Sequence, residues 1–326
     1  MRRVATQCRY DGVTESEPTM YASDVSSLLR QLTGELENFE AIAKYLLPLP
    51  GEIPRLHGID VWGGTLALTG VVGGDHIIYV DFKQRFDLEA RIRHATDKGK
   101  LEVVENLARC RRTAGIGVID VSGHRVTDAL LAAMLHQAFL LGSIYELDIS
   151  GQITKRLFEN LNTRFYKSSS ENKFVSMIYG EISEDSHFRF LSAAQPFPAV
   201  FSNEYNRFME VSPSLCISFP PLGMMPSLGI DRSTTESALG FTDRYQINEW
   251  SLMGAGDILL LETDGLTEHR AGGVDYFPRR IEQVLRAVKH RSAAEIFGAI
   301  TADLLAFGDP TDDVSLVVIK KAGTLG

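Results

Sequence analysis

Acidic residues stand at the ends of four apolar, strand-like segments of the chain, each beside a small or turn-forming residue. A single Asp-Gly pair is first of all a turn signal, so one such position carries little information. Carboxylates delivered together from several strand ends, however, form an all-oxygen site of the kind that binds Mg²⁺ or Mn²⁺. The positions are Asp75 after Gly73-Gly74, Asp120 in Asp120-Val121-Ser122-Gly123-His124, Asp264 in Thr263-Asp264-Gly265, and the pair Asp312-Asp313.

This ordered set of motifs resembles the PPM (PP2C-like) serine/threonine phosphatases, and in particular their bacterial SpoIIE/RsbU branch. That branch shows Gly-Gly-Asp, Asp-Val-Ser-Gly-His-Gly, Thr-Asp-Gly-x-x-Glu and Asp-Asp-x-Thr in the same order. The third motif ends here at Glu268 and the fourth at Ser315. The lead-in Leu46-Leu47-Pro48-Leu49-Pro50 is also similar to that branch, and the resemblance covers about residues 46–320.

The resemblance implies a chemistry and a set of ligands. Two divalent metal ions, Mn²⁺ or Mg²⁺, would lower the pKa of a shared water toward ~7, so that it attacks the phosphorus of a phosphoserine or phosphothreonine directly. By resemblance, Asp120 bridges the two metals and the Val121 carbonyl is a backbone ligand. The other ligands implied are Asp75, Asp264, Asp312 (the better match of the last pair) and Asp313, in a slot that is often Asn or Asp.

His124 follows the predicted bridging residue closely, and two roles remain open for it. It can protonate the leaving Ser or Thr oxygen as a general acid, since its ordinary pKa of ~6.5 suits that task. It can equally orient Asp120 through a hydrogen bond. The Gly that follows this histidine in the resembling branch is Arg125 here. The Ala-Gly-His-x-Pro stretch of the branch reads Ala193-Ala194-Gln195-Pro196-Phe197-Pro198.

Composition excludes several classes of protein. The net charge of −9 argues against nucleic acid as the main partner, because nucleic-acid binding requires a basic face. The 3 cysteines form no Cys-x-x-Cys pair, so we expect neither a disulfide framework nor a zinc site. The N-terminus lacks the apolar stretch of a secretory signal, and the longest apolar run, 129–142, is too short to span a bilayer. We therefore expect a cytoplasmic location and no membrane span.

The N-terminal region divides into two parts. Residues 1–22 are polar and aperiodic, which predicts a tail. Residues 23–47 carry apolar side chains at alternating spacings of four and three, the pattern of a coiled-coil seam, and Pro48 ends the helix. Two interpretations remain open: a helix packed along its own domain, or a linker helix that forms a homodimer. The seam consists of Val25, Leu29, Leu32, Leu36, Phe39, Ala43 and Leu46.

Residues 48–322 are predicted to form the phosphatase domain. Many strands with a few long helices and no repeating βαβ unit indicate an α+β (layered α/β) fold. The resemblance implies an αββα sandwich, in which two antiparallel sheets are flanked by helices. Predicted strands cover 60–69, 77–82, 115–120, 174–182, 187–193, 215–219, 245–252, 258–263 and 314–320. Predicted helices cover 126–141, 149–166, 279–289 and 292–306.

Residues 83–114 have no counterpart in the resembling domains, which usually carry a short turn there. Apolar residues at helical spacing and many arginines predict a helical hairpin with a basic outer face, turning near Asp97-Lys98-Gly99. Because this insertion connects the strands that bear Asp75 and Asp120, we expect it close to the metal site. The alternatives are a solvated surface insertion and an element that docks an acidic protein substrate.

The sequence supports two functions of different classes. The first is a metal-dependent phosphoprotein phosphatase, whose substrate by resemblance is a regulatory protein such as an anti-anti-sigma-factor (STAS-type) protein. The second is a catalytically impaired binding or scaffolding module of the same fold. The complete set of carboxylates favours the enzyme.

Overall fold

The computed structural model describes residues 17–43, 50–68, 73–123, 126–168, 173–229, 237, 239–251 and 254–323. The chain forms two compact units, Met1–Ile42 and Ala43–Gly326. The described residues of the first unit belong to the helix α1 (Glu17–Ala43), which begins at Glu17 rather than at the predicted residue 23. Its apolar side chains are about half exposed: Val25 56%, Leu29 58%, Leu32 48% and Leu36 51%.

The second unit contains strands and helices in mixed order. Its strands are β1 (Ile59–Leu66), β2 (His76–Asp81), β3 (Thr113–Val121), β4 (Val175–Ser183), β5 (Phe188–Ala193), β6 (Ala199–Ser202), β7 (Arg207–Phe208), β8 (Ser218–Phe219), β9 (Asn248–Trp250), β10 (Ile258–Glu262), β11 (Arg270–Ala271), β12 (Val274–Asp275) and β13 (Val314–Lys321). Its helices are α2 (Phe82–Arg85), α3 (Leu88–Asp97), α4 (Leu101–Cys110), α5 (Val126–Ser150), α6 (Lys155–Ser168), α7 (Asp264–Thr267), α8 (Arg279–Val288) and α9 (Ala293–Phe307).

Two sheets carry the architecture. Sheet one has the strand order β1-β13-β10-β6-β7. Sheet two has the order β2-β3-β4-β5-β8, with β9 also pairing with β5. All these pairings are antiparallel except the short parallel pairing of β5 with β8.

Apolar side chains alternate along the strands and so fill layers on both faces of each sheet. On β2, Ile77 and Tyr79 belong to the layer between the two sheets, whereas Ile78 and Val80 belong to the layer under α3 to α6. The outer face of sheet one packs against α8 and α9 in a third apolar layer. The result is helix, sheet, sheet, helix, which confirms the predicted αββα sandwich.

The helical hairpin at 82–110 lies at the wrong end of the molecule for the predicted position beside the metal site. Strand β2 leaves Asp75 and β3 returns to Asp120, and the hairpin connects their opposite ends, where Asp81 pairs with Ala114. Six residue steps of extended strand separate those ends by roughly 20 Å. Because an insertion between two strands follows the far end of the first, its connectivity placed it away from the carboxylates.

The predicted basic outer face of segment 83–114 is partly neutralised, although Arg93, Lys98 and Lys100 are exposed. Four of its arginines form ion pairs with acids: Arg85 with Glu52, Arg91 with Asp148, Arg111 with Glu89 and Arg112 with Glu184. A cavity of about 630 Å³ lies at this end of the sandwich, lined by the end of α4 and the turn between β4 and β5. The hairpin therefore lies at the end of the domain opposite to Asp75 and Asp120.

Helix α5 is long and apolar over Asp128–Ser150, and by length and composition alone it passes for a membrane span. Core helices pass the same test, and α5 buries Leu135, Phe139 and Leu147 against sheet two. The opposite face of α5 also carries exposed apolar side chains, among them Leu141 and Ile149.

Replacing Phe139 by Ala should lower the free energy of unfolding by about 3–5 kcal/mol, because the ring is fully buried between Phe158 and Tyr179. Leu130→Ala on the same helix is the matched control, since Leu130 is 48% exposed. Chemical denaturation measures both. Equal losses would show that the inner and outer faces of α5 are assigned wrongly.

Candidate active site

The topology brings two pairs of strand ends to one end of the sandwich. In sheet two, the start of β2 lies beside the end of β3, with His76 opposite Ile119. In sheet one, the end of β10 lies beside the start of β13, with Glu262 opposite Leu316. A hydrogen bond joins the two pairs, because Thr263 Oγ1 donates to Asp75 Oδ2 at 2.7 Å.

Asp313 holds the loop that carries Asp75. One of its carboxylate oxygens accepts a hydrogen bond from the Leu68 amide and the other accepts one from the Gly74 amide, both at 2.7 Å. The approach is close: a Cβ on Gly73 would lie 2.0 Å from Asp313 Oδ2. The glycine is needed there because no side chain fits between this loop and Asp313.

Asp312 and Asp313 differ in their surroundings although they are adjacent. Asp313 is buried and both its oxygens bond to backbone amides. Asp312 is exposed, and its Oδ1 accepts a hydrogen bond from the Asp313 amide. Asp312 therefore presents its carboxylate outward, whereas Asp313 uses its own to fix the loop.

Asp120 is oriented from sheet two. Ser176 Oγ, on the neighbouring strand β4, lies 3.1 Å from Asp120 Oδ2, and Gln195 Nε2 donates to Ser176 Oγ at 3.2 Å. Gln195 occupies the position where the stretch 193–198 departs from the resembling branch. Its amide thus reaches the predicted bridging carboxylate through one serine.

Burial and mutual repulsion raise the pKa values of the predicted ligands. Burial, followed by the charge of Asp120, raises the pKa of Asp75 well above its usual range. Burial, followed by the charge of Asp264, raises the pKa of Asp120 to about 6. Burial, followed by the charges of Glu268 and Asp312, also raises the pKa of Asp264. Asp120 therefore lies within electrostatic reach of Asp75, Asp264 and Asp312.

The donor set suits hard divalent cations. Its members are carboxylates that repel each other, and Mg²⁺ and Mn²⁺ prefer oxygen ligands. Asp75 and Asp120 each have one oxygen hydrogen-bonded to a hydroxyl group, which orients the carboxylate. Among the residues described, no three Asp, Glu, His or Cys side chains already surround a common point as a metal cage does. The chemistry of the donor set fits these cations.

The predicted residues fall into three groups. Asp75, Asp120, Asp264 and Asp312 come together, with Val121 next to Asp120 on β3. Asp313 also lies in this cluster but bonds to the Leu68 and Gly74 amides. His124 and Arg125 lie outside the described residues.

A buried imidazole pair anchors the start of β2 directly after Asp75. His76 Nε2 and His136 Nδ1, on α5, lie 2.6 Å apart in a hydrogen bond. Burial, followed by the nearby His136, lowers the pKa of His76 to about 3, and burial lowers that of His136 to about 4. Both rings are neutral at pH 7, so the pair ties α5 to β2 without adding charge behind the carboxylates.

Sequence patterns missed the side chains that support the site. Ser176 and Gln195 are polar residues within or beside apolar strands, and Lys173 and Asp128 belong to no motif. The one available signal is that Ser176 interrupts the apolar run of 174–182, although a buried serine is common in strands. Their contacts depend on strand pairing and on the docking of α5, which local patterns do not encode.

The fold is that of the PP2C phosphatases. The SiaA-PP2C domain of Pseudomonas aeruginosa is similar over 90% of this chain and 99% of its own, with a TM-score of 0.59 and 15% identity. The RsbU and RsbW domains of Rv1364c from Mycobacterium tuberculosis match 85% of this chain with a TM-score of 0.56 and 19% identity. The PP2C domain of SpoIIE from Bacillus subtilis, solved with a fragment of its regulatory domain, matches 81% of this chain with a TM-score of 0.55 and 14% identity.

The chain spans 64% of the solved chain, less than two thirds, for both the Mycobacterium and the Bacillus proteins. No curated protein sequence matches it. Residues 111–322, about two thirds of the chain, match the family described as Stage II sporulation protein E (SpoIIE). The chain belongs to the SpoIIE family, as its motifs predict.

The raised pKa of Asp120 predicts how the metal-free protein responds to pH. An acid whose pKa rises from 3.8 in the unfolded chain to about 6 in the folded one contributes stability below pH 3.8, and this contribution is lost as the pH rises to about 6. Asp120→Asn removes that loss. At pH 7, metal-free Asp120→Asn should exceed the native chain in unfolding free energy by on the order of 1–2 kcal/mol, since partial exposure weakens the effect.

Denaturation of metal-free protein at pH 4, 5.5 and 7 measures this difference. Asp243→Asn is the control, because Asp243 is exposed and distant in sequence from the predicted ligands. If Asp120→Asn and the native chain show the same pH dependence across this range, Asp120 carries no raised pKa.

Proposed function

We propose that this protein is a metal-dependent serine/threonine phosphoprotein phosphatase. The observation that supports the proposal most strongly is the electrostatic coupling of Asp120 to Asp75, Asp264 and Asp312, together with the Thr263–Asp75 hydrogen bond that links the two sheets. Membership of the SpoIIE family and the PP2C fold supply the class of reaction.

In this proposal, two Mn²⁺ or Mg²⁺ ions are held by Asp75, Asp120, Asp264, Asp312 and the Val121 carbonyl. When bound, such ions neutralise phosphoryl charge and make water acidic enough to act as a nucleophile near neutral pH. The protein's own contribution is orientation. Ser176 fixes one oxygen of Asp120, and Thr263 fixes one oxygen of Asp75. We assign Asp313 the role of holding the Gly73-Gly74 loop, because its two oxygens accept the Leu68 and Gly74 amides. Each oxygen keeps a further lone pair, so Asp313 also remains a proposed metal ligand.

His124 keeps its two proposed roles, as proton donor to the leaving oxygen or as orienting partner of Asp120. The substrate we propose is a phosphorylated regulatory protein, with a STAS-type protein as the candidate. The Mycobacterium chain of similar fold joins an RsbU domain to an RsbW domain, which supports a place for this chain in a regulatory system of the same kind.

We also propose that α1 forms a homodimer. Its seam residues Val25, Leu29, Leu32 and Leu36 are about half exposed, and pairing with a second copy of α1 would bury them. Complete burial of such side chains stabilises by roughly 1.5–3 kcal/mol each.

Phosphatase activity should require Mn²⁺ or Mg²⁺, and Asp120→Asn should reduce it at least a hundredfold, because loss of a ligand disturbs both metal positions. Hydrolysis of p-nitrophenyl phosphate with and without a chelator measures this. Asp243→Asn should retain native activity. A native chain that binds Mn²⁺ and hydrolyses neither p-nitrophenyl phosphate nor phosphopeptides would instead be a scaffolding module.

Removing residues 1–47 should convert a dimer into a monomer that still hydrolyses p-nitrophenyl phosphate, because the predicted ligands all lie beyond that segment. Light scattering at micromolar concentration gives the mass of each form. Leu29→Glu/Leu36→Glu in the full chain is the second variant and should also dissociate the dimer. A full-length chain that is monomeric at that concentration contradicts the pairing.

A further inference from the structure

Lys173, just before β4, reaches the segment that follows Asp120. Its Nζ donates to the Ser122 carbonyl at 2.7 Å and to Asp128 Oδ1 at 2.5 Å. Asp128 lies in the first turn of α5 and its side chain is 0% exposed, whereas the Lys173 side chain is 28% exposed. One lysine therefore joins a buried carboxylate to the backbone two residues after Asp120.

The same segment is held from its other side by the glycine loop. The Val121 amide donates to the Gly74 carbonyl at 3.3 Å. A Cβ on Gly74 would lie 2.7 Å from the Val121 oxygen and 2.3 Å from the Gly123 oxygen, so these backbones touch. Segment 120–123 thus lies between the Gly73-Gly74 loop, which Asp313 fixes, and the Lys173–Asp128 pair.

Gly123 makes the second contact equally close. A Cβ there would lie 2.6 Å from Asp128 Oδ2 and 3.0 Å from Lys173 Nζ, and its φ of +112° favours glycine. The ion pair therefore packs directly on the backbone of the segment. Ser122 adds a further tie, since its amide donates to the Phe174 carbonyl at 3.1 Å.

The charges of the pair explain why a lysine is tolerated beside a cation site. An isolated ammonium group at this place would repel divalent cations, but the buried Asp128 offsets its charge. A buried ion pair adds little net stability compared with apolar residues of the same volume. The role of the ion pair is therefore to position the backbone that carries Asp120 and the Val121 carbonyl.

We propose that Lys173, paired with Asp128, is a positioning residue that fixes segment 120–123 in the shape required to bind the catalytic cations. This inference rests on the proposed function for its cation-binding consequence. The tether itself is a property of the metal-free chain. No sequence motif includes either residue, and both act through the segment rather than on the substrate.

The test compares three variants of the full chain. Lys173→Met keeps the aliphatic stem and removes the charge. Lys173→Met/Asp128→Leu removes both charges, so it tests the tether even where loss of the Lys173 charge beside the buried Asp128 prevents the single variant from folding. Arg280→Met is the control, because it breaks an ion pair with Asp303 between α8 and α9.

Two readouts are needed. The first is hydrogen–deuterium exchange of the Val121 and Ser122 amides in metal-free protein. The second is the dissociation constant for Mn²⁺ from titration calorimetry. The double variant should keep native secondary structure, exchange these amides faster, and bind Mn²⁺ about 10–100-fold more weakly, as expected when the support of a metal ligand is lost. Arg280→Met should match the native chain in both.

The outcomes separate this inference from the proposed function. If the double variant has the exchange rates and the Mn²⁺ affinity of the native chain, the ion pair does not position segment 120–123, and the inference is wrong. If exchange is faster but Mn²⁺ affinity is unchanged, the positioning role is also wrong. If the native chain binds no Mn²⁺, the proposed function fails. Hydrogen–deuterium exchange then tests the tether alone: faster exchange in the double variant supports it, and unchanged exchange rejects it.

Discussion

Electrostatic repulsion among the carboxylates at one end of the sandwich is the constraint that the rest of the site must offset. Burial and neighbouring acids raise the pKa values of Asp75, Asp120 and Asp264. Such a cluster opposes folding at neutral pH unless hydrogen bonds and cations offset the repulsion. Burial of the apolar layers between and outside the sheets stabilises the fold against this repulsion.

The supporting contacts form one connected set. Thr263 joins sheet one to Asp75, and Asp313 joins sheet one to the Gly74 amide. Gly74 in turn contacts the backbone at Val121. Because the two sheets meet through these bonds, the spacing of the carboxylates depends on the packing of the whole sandwich. This dependence explains why one motif alone is weak evidence for the site, whereas the ordered set of motifs is strong evidence.

The acids and the layers were predictable from sequence because they follow local rules. The mixture of many strands with a few long helices predicted the α+β class, the resemblance to the PPM phosphatases implied the sandwich, and strand-end acids predicted the cluster. The end of α5 was not predictable: the helix was expected to stop at 141, before Gly142, but it continues to Ser150. Gly142 serves close packing instead, since a Cβ there would lie 2.2 Å from Leu157 Cδ1 on α6. Likewise β6 was missed, because its four residues follow two prolines and pair with the distant β10.

Connectivity explains the largest error. The arginine-rich segment 83–114 was expected beside the carboxylates because it links the strands that carry them. The hairpin instead occupies the far end of those strands, and its arginines pair with acids there. In the same way, the hydrogen bonds from the Leu68 and Gly74 amides give Asp313 a loop-holding role that its adjacency to Asp312 conceals in the sequence.

Crystals soaked in Mn²⁺ and measured at the manganese absorption edge test the central claim most directly. We expect two anomalous peaks ~3.5–4 Å apart, as in two-metal sites, coordinated by Asp75, Asp120, Asp264 and Asp312, with Asp313 still bonded to the Leu68 and Gly74 amides. Peaks elsewhere on the domain, or none at a saturating concentration, would contradict it.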